Sequence, residues 1–294
     1  MANLLNVHGK WVNLQKPGGQ VWFVSGGTTA YEGKGASDNN NGLSPQQPLS
    51  TIAQAVTNAI GGRGDTIVLL PGNVTITAAI VMVKDDVTLT GVDPNGSNNP
   101  SAITVNGAVD GISITGANVV IENLHFAAST ASAVSRIDCA AAGATIRNNT
   151  FDCGTNDLET ITIPAAGHYA SITGNRFYIT ADGPNAAIEF ESVGVLGIVI
   201  KDNLFMGQSN AMQWDVAAIH SDVAQLDCWI KGNTFTDGEA IDFSAAATGM
   251  ISDNDMGYGT LGSMLDPGSC MCIRNFEADA INEKAREFPT TAAS

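Results

Sequence analysis

Three short segments of this 294-residue chain share one form, a chemically active residue that follows Ile and, in two of them, precedes Phe. They are Ile188-Glu189-Phe190, Ile219-His220-Ser221 and Ile241-Asp242-Phe243, and Ile137-Asp138-Cys139 and Ile161-Thr162-Ile163 precede them. Side chains alternate between the two faces of a strand, so the central residues would form one outward column: Asp138, Thr162, Glu189, His220 and Asp242. Two residues along, on the same face, lie Pro164, Glu191, Asp222 and Ser244. With one such strand per stacked layer, Glu189 and His220 stand about 5 Å apart, and Glu189 and Asp242 about 10 Å. Two carboxyls flanking an imidazole are equipment for general acid–base chemistry, one carboxyl as acid, the other as base, and His220 tuning their protonation. The carboxyl spacing lies just outside the roughly 6.5–9.5 Å of an inverting glycosidase pair. A mixed acidic column is also what any solvated sheet face shows, and it keeps strands from pairing edge to edge. The expectation is therefore that no residue is catalytic; Glu189, His220 and Asp242 are the candidates if the chain is an enzyme.

The layers that would position this column are visible as a repeat. Ile146-Arg147-Asn148-Asn149-Thr150-Phe151 returns as Ile172-Thr173-Gly174-Asn175-Arg176-Phe177, Ile200-Lys201-Asp202-Asn203-Leu204-Phe205 and Ile230-Lys231-Gly232-Asn233-Thr234-Phe235. A degenerate copy, Ile251-Ser252-Asp253-Asn254-Asp255-Met256, closes the series, and an earlier relative, Ile121-Glu122-Asn123-Leu124-His125-Phe126, has its Phe one place later. The asparagines at 123, 149, 175, 203, 233 and 254 are separated by 26, 26, 28, 30 and 21 residues. Such a period marks a stacked repeat, each unit covering the apolar face of the next. The segments between are short, β-branched and bounded by Gly, Asn, Asp or Pro, with no apolar stripe of helical period, so each unit reads as two or three strands joined by turns. A unit of this size whose strands pair only with the next copy is one coil of a parallel β-helix. The Ile and Phe columns then stack inward. The Asn falls at the bend, where it tolerates left-handed angles, bonds local backbone and can bond its neighbours along the axis. Asn149, Asn175, Asn203, Asn233 and Asn254 are expected to form this structural ladder.

Composition agrees: 32 Gly, 44% hydrophobic residues, 14% charged and 6% aromatic suit a solenoid with a real core. The net charge of −16 and the total of only 13 Lys and Arg disfavour a phosphate-binding surface, so no nucleic acid is expected. A polyanionic sugar is disfavoured on the same ground unless calcium bridges it. No apolar run reaches membrane-spanning length, and MANLLNVHGKW lacks the pattern of a secretory leader, so neither membrane nor secretion is expected. The five cysteines, 139, 153, 228, 270 and 272, are scattered and read as buried free thiols; Cys270-Met271-Cys272 has no second pair to complete a zinc site. No metal or cofactor is expected, calcium on Glu189, Glu191 and Asp222 being the one alternative. Trp214 and Trp229 would serve as a sugar-stacking platform if a glycan is bound.

Along the chain, residues 1–20 form an arm and residues 21–65 a cap. Within the cap, Thr51-Ile52-Ala53-Gln54 reads as a capping box opening a short helix whose apolar face is Ile52, Val56 and Ile60, stopped by Gly61-Gly62. Such a helix would close the open apolar end of the solenoid. Residues 66–260 supply about seven or eight coils. Residues 261–294 form a tail in which 277–288 is helix-like, with Ile281, Ala285 and Phe288 on one side.

The segment from Gly35 to Leu70 resembles the start of the single-stranded right-handed β-helix, or pectin-lyase-like, superfamily. The resembling features are a Gly/Asp/Asn loop, Pro45-Gln46-Gln47-Pro48-Leu49-Ser50-Thr51-Ile52, and Gly64-Asp65-Thr66-Ile67-Val68-Leu69-Leu70-Pro71-Gly72. The repeats extend the resemblance to about residue 260. It implies an all-β, right-handed parallel β-helix with an N-terminal capping helix and a C-terminal tail. Fold does not give function here, since the superfamily includes polysaccharide lyases, hydrolases, virus tailspikes and inactive binding proteins. The Asn-Thr-Asp, Asp-Asp, His-Gly and Arg-x-Lys set of polygalacturonase-like members is not reproduced. Thr155-Asn156-Asp157 is scrambled, Asp85-Asp86 lies far upstream, His8-Gly9 is in the arm, and Arg-x-Lys is absent. Nor does an outward Arg stand beside the acidic column, as the base of a pectate-lyase-like site would. What is left resembles non-enzymatic virion proteins of tailed phages, capsid decoration or tail and fibre components, made in the host cytoplasm. Its implied partners are other virion proteins such as capsid or tail, and two further copies of itself as a trimer. The alternatives are a polysaccharide-degrading enzyme, depolymerase-like, or a carbohydrate-binding module, either one meeting a surface glycan on the Glu189–Asp242 face.

Overall fold

The computed structural model describes residues 4–7, 10–13, 18–26, 35–92, 100–129, 133–154, 157–179, 184–207, 214–237, 239–243, 246–259, 265–279 and 285–287. Among them the chain is a right-handed parallel β-helix built from three long sheets. Sheet A has ten strands, from Val21–Val24 and Thr66–Leu69 at one end to Met271–Ile273 at the other. Sheet B runs in parallel from Gly72–Ile76 to Phe276–Asp279, and sheet C from Ile80–Met82 to Leu265–Asp266. Each coil passes A, B, C and returns to A, so every strand pairs with its equivalents one coil up and one coil down. Eight coils carry all three strands, which fits the seven or eight expected.

Inward columns hold the coils together. Leu89, Ile121, Ile146, Ile172, Ile200, Ile230 and Ile251 follow one another in sheet A at full burial. In sheet B the rings of Phe126, Phe151, Phe177, Phe205 and Phe235 stack nearly parallel, with centroids 4.7–4.9 Å apart. That spacing is the strand separation itself, so the backbone ladder and the ring stack set the same repeat.

The bend from A to B separates two roles that the sequence reading gave to one residue. The left-handed position is filled by Asn123, Asn148, Gly174, Asp202, Gly232, Asp253 and Arg274, each with φ between 50° and 65°. The ladder residue is the next one. Asn149, Asn175, Asn203, Asn233 and Asn254 are buried. Each donates its amide Nδ2–H to the following Asn Oδ1 at 2.9–3.1 Å and to the carbonyl of the Ile in the previous coil at 2.8–3.1 Å. The ladder runs one step further, to Asn275. Asn123 is therefore not its first member; Leu124 occupies that place, and its N–H donates to Asn149 Oδ1. This also explains why Phe126 falls one place late relative to Asn123.

The capping helix α1 spans Ile52–Asn58, with the Thr51 side chain accepting from Gln54 N–H. Ile52, Ala55 and Val56 are its buried face, and it ends at Ala59, before the glycines expected to stop it. Ile60, expected on that face, is exposed; its N–H donates to Asp65. Asp65 also accepts from Gln20 N–H, Trp22 Nε1–H and Arg63, and these bonds bring its pKa down to about 2 against the opposing effect of burial.

The C-terminal segment differs from the reading above. Within 277–288 the described residues form strands rather than a helix, because Phe276–Asp279 finds a partner in Asp255–Gly259 of the coil before it. Ala285–Glu287 then pairs antiparallel with Phe276–Asp279 at the end of sheet B. Ile281 and Phe288 lie outside the described residues. The strands Leu4–Val7 and Lys10–Asn13 form a separate antiparallel hairpin that joins none of the three sheets.

Candidate functional site

Sheet C places the acidic column outward and in register. Asp138 pairs with Thr162, Thr162 with Glu189, Glu189 with His220 and His220 with Asp242; Ser113 precedes the column and Asp266 follows it. Strand alternation points the flanking Ile137, Ile161, Ile188, Ile219 and Ile241 into the core, all fully buried, and that burial fixes which face the polar residues occupy.

Within the column the polar atoms serve one another. Ser113 Oγ donates to Asp138 at 3.1 Å. Thr162 Oγ1 donates to the same carboxyl from the other side at 3.4 Å. His220 Nδ1 lies 2.7 Å from Glu189 Oε2, while its Nε2 is 3.4 Å from Asp222 and 3.9 Å from Asp242. The imidazole is only 10% exposed and Glu189 16%, so both are held beneath the surface rather than offered to solvent. The hydrogen bond His220 makes to Glu189 raises its pKa above the ordinary 6.5, with the Asp222 and Asp242 charges adding to it. One ring thus faces carboxyls on three successive coils.

The surrounding carboxyls are shifted the same way. Burial raises Asp138, Glu159, Glu191, Glu239 and Asp242, and like charges nearby reinforce each: Asp110 at Asp138, Asp138 at Glu191, Glu189 at Glu159, Asp242 at Glu239, Asp266 at Asp242. A group whose folded pKa exceeds its unfolded one binds protons more tightly when folded, so its contribution to stability declines as pH rises through the folded value. For His220 that contribution is complete below 6.5 and is lost above it; for the carboxyls the decline begins above 3.8 for Asp and 4.5 for Glu. The lowered groups Asp38, Asp65 and Asp253 act oppositely, but only as pH falls below 3.8. The melting temperature should accordingly be highest at about pH 4 and fall by a few degrees toward pH 8.5. Differential scanning calorimetry in buffers of constant ionic strength measures this, and a rise toward pH 8.5 would contradict it.

Of the residues weighed for calcium, Glu189 is bonded to His220, and among the described residues no three His, Cys, Asp or Glu side chains converge. Trp214 and Trp229 do not form a platform: Trp214 is buried, whereas Trp229 stands on sheet A, away from this face. Asp157, part of the scrambled triplet, is buried in a two-point pair with Arg136. That pair had no signal in the sequence, since its members lie 21 residues apart in unrelated turns. Ser244 of the second outward row lies outside the described residues. The five cysteines are buried and free, and burial pushes the thiols of Cys153, Cys228 and Cys270 up to about 12 and Cys272 to about 11, which leaves them unreactive. No helix of the described residues is long and apolar enough to cross a membrane.

No protein-family profile matches the sequence, and no curated protein does. Solved structures match by fold. Pectate lyase Pel9A overlays with a TM-score of 0.51 at 12% identity, over 95% of this chain and 82% of its own. A rhamnogalacturonan lyase gives 0.42 at 14% identity over 88% and 68%, and ORF18 of Geobacillus virus E2 gives 0.40 at 11% over 94% and 67%. At these identities the likeness to Pel9A is one of fold alone, a parallel β-helix.

Proposed function

We propose that the chain is a non-catalytic structural component of a tailed-phage virion, a rigid rod attached through its termini and assembled as a trimer with other capsid or tail proteins. The observation that carries this reading is the closure of the outward column on itself. Glu189 is bonded to His220, which also engages Asp222 and Asp242, and Asp138 is held by Ser113 and Thr162. General acid–base catalysis needs a carboxyl or imidazole within hydrogen-bond reach of substrate. Here the ring that would tune such a pair fills the space between its members. The column also carries no Lys or Arg that could take a proton from a uronate ring or offset its charge.

The separate hairpin supports attachment. An isolated two-stranded hairpin is marginal in water, so Leu4–Val7 and Lys10–Asn13 gain stability by laying that sheet against another protein. Light scattering on the full chain, and on a chain lacking residues 1–20, tests the assembly. A trimer, or a monomer that assembles only when the arm is present, supports the virion role. A monomer indifferent to the arm contradicts it.

A further inference from the structure

In the outward column of sheet C from Ser113 to Asp266, His220 is the one side chain that can carry a positive charge, and the side chains it faces are acidic. Glu189 approaches Nδ1 from the coil before, at 2.7 Å. On the other side Nε2 faces Asp242 of the coil after, at 3.9 Å, and Asp222, just past its own strand, at 3.4 Å. Glu239 of the coil after is close enough to feel the charge of the ring. Behind these stand Glu159 and Glu191, which feel Glu189, and Asp266, which feels Asp242.

Asp222 opens the bend that carries the chain from Ala217–Ser221 in sheet C to Cys228–Lys231 in sheet A. Its side chain is 77% exposed, so the ring is what ties this end of the bend to the sheet face. The rest of the bend is held by a few bonds. Ser221 Oγ donates to Val223 O, and Gln225 Nε2 to Ser192 O of the coil before. Gly194 N–H donates to Ala224 O at 2.8 Å, and Leu226 N–H to Val195 O at 2.9 Å. Gln225 Oε1 is buried without a hydrogen-bond partner, which weakens the corner further. Segments held in this way open at lower free energy than a packed strand.

We propose that His220 is a proton-operated clasp on this bend: with its proton the ring keeps Asp222 against sheet C, and without it the bend is released. A protonated imidazole carries hydrogen on both nitrogens and a charge that Glu189, Asp222 and Asp242 share. The neutral ring keeps one hydrogen, which the short contact with Glu189 retains. Nε2 then turns a lone pair toward two carboxylates, and attraction on that side gives way to repulsion. Asp242 cannot withdraw, because its strand pairs with a neighbour on both sides. Asp222, exposed and at the start of a bend, can. The direction of the His220 shift agrees: the proton is kept above 6.5 and lost as pH rises further, so the clasp is closed below 6.5 and opens above the folded value. The clasp does not depend on the virion role, and its test does not bear on that role.

Amide hydrogen exchange resolved by NMR tests it, with each rate divided by that of the unprotected peptide at the same pH. Gly194 and Leu226 report on the bend, and Asn203 N–H, bonded to Asn233 Oδ1, serves as the reference. From about pH 6 to about pH 9 protection at Gly194 and Leu226 should fall at least about tenfold, as loss of one charge-assisted hydrogen bond would give, while Asn203 stays unchanged. His220→Gln keeps a donor and an acceptor but no titrating proton, so its bend should be as open at the lower pH as the parent's at the higher. Asp222→Asn removes the carboxylate that is released. It lies on the surface, so the rod should fold as the parent does, with bend protection no longer dependent on pH. Protection in the parent that does not change with pH overturns the clasp. So does a parent-like pH dependence that survives in Asp222→Asn or in a folded His220→Gln protein.

Discussion

Arg136→Ala is expected to destabilise the rod by about 3–5 kcal/mol, the cost of breaking a buried ion pair from one side. Arg136 is 1% exposed, and the Asp157 side chain is fully buried. The guanidinium grips Asp157 at two points, Nε to Oδ1 at 2.7 Å and Nη2 to Oδ2 at 2.6 Å. It also donates to the carbonyls of Ala127 and Asp152. Ala127 and Asp152 lie in sheet B strands of neighbouring coils, while Arg136 and Asp157 lie in the connections that lead on to sheet C. Truncation would leave a buried carboxylate whose remaining donor is Gly154 N–H, together with two carbonyls that have lost a donor. Urea unfolding followed by circular dichroism gives the loss directly. The double variant Arg136→Met, Asp157→Leu should recover most of it, because the penalty belongs to the unpaired charge more than to the absent pair. Equal stability of Arg136→Ala and the parent would show that the site is hydrated and the pair incidental.

Asn203→Leu should be nearly as damaging, at about 3 kcal/mol or more, because each buried polar group left without a partner costs about 1–3 kcal/mol. Asn203 Oδ1 accepts from both Asn175 N–H and Asn175 Nδ2, at 2.9 and 3.1 Å. Its own amide supplies Ile172 O at 2.8 Å and Asn233 Oδ1 at 3.0 Å. Leucine matches the volume and can make none of these bonds, so the groups lose their partners in a region sealed from water. The damage should be local to the coils on either side. Hydrogen exchange would show early loss of protection across Ile172–Phe205 before the ends of the rod open. Asp202→Asn, next to the ladder in the left-handed position at φ 55°, should by contrast be tolerated, since Asn fills that position at 123 and 148.

This contrast shows what the sequence could and could not convey. The repeat was legible because each coil sets the same demands at the same place: an inward Ile, a buried amide, an inward Phe. Register followed, so the outward column from Asp138 to Asp242 could be written down residue by residue. The exact function of neighbouring asparagines could not. The left-handed bend accepts Asn, Asp, Gly and even Arg274, while the ladder needs a side chain that donates and accepts at once. Asn123 satisfies the first demand and looks in sequence like the second. At the far end, Cys272-Ile273-Arg274-Asn275-Phe276 departs from Ile-x-x-Asn-x-Phe at both hydrophobic positions, so the coil that continues the ladder past residue 260 was hidden. Residues 277–288 have helix-like spacing over only twelve residues, which is marginal for a helix. Pairing with the exposed edge at Asp255–Gly259 outweighs that weak preference. In the candidate site, alignment of Glu189, His220 and Asp242 was readable from alternation alone. Their mutual engagement was not, because it depends on rotamers and on Asp222 reaching back to the ring from the following bend.

The central claim is that this column holds coils together and performs no chemistry. Its most direct test is turnover: the full chain incubated with neutral and acidic polysaccharides, with new reducing ends and unsaturated uronate products measured over a day. The account predicts no product above the heat-denatured control, and no difference between the parent and Glu189→Gln. Product formation by the parent that Glu189→Gln abolishes in a still-folded rod would contradict it.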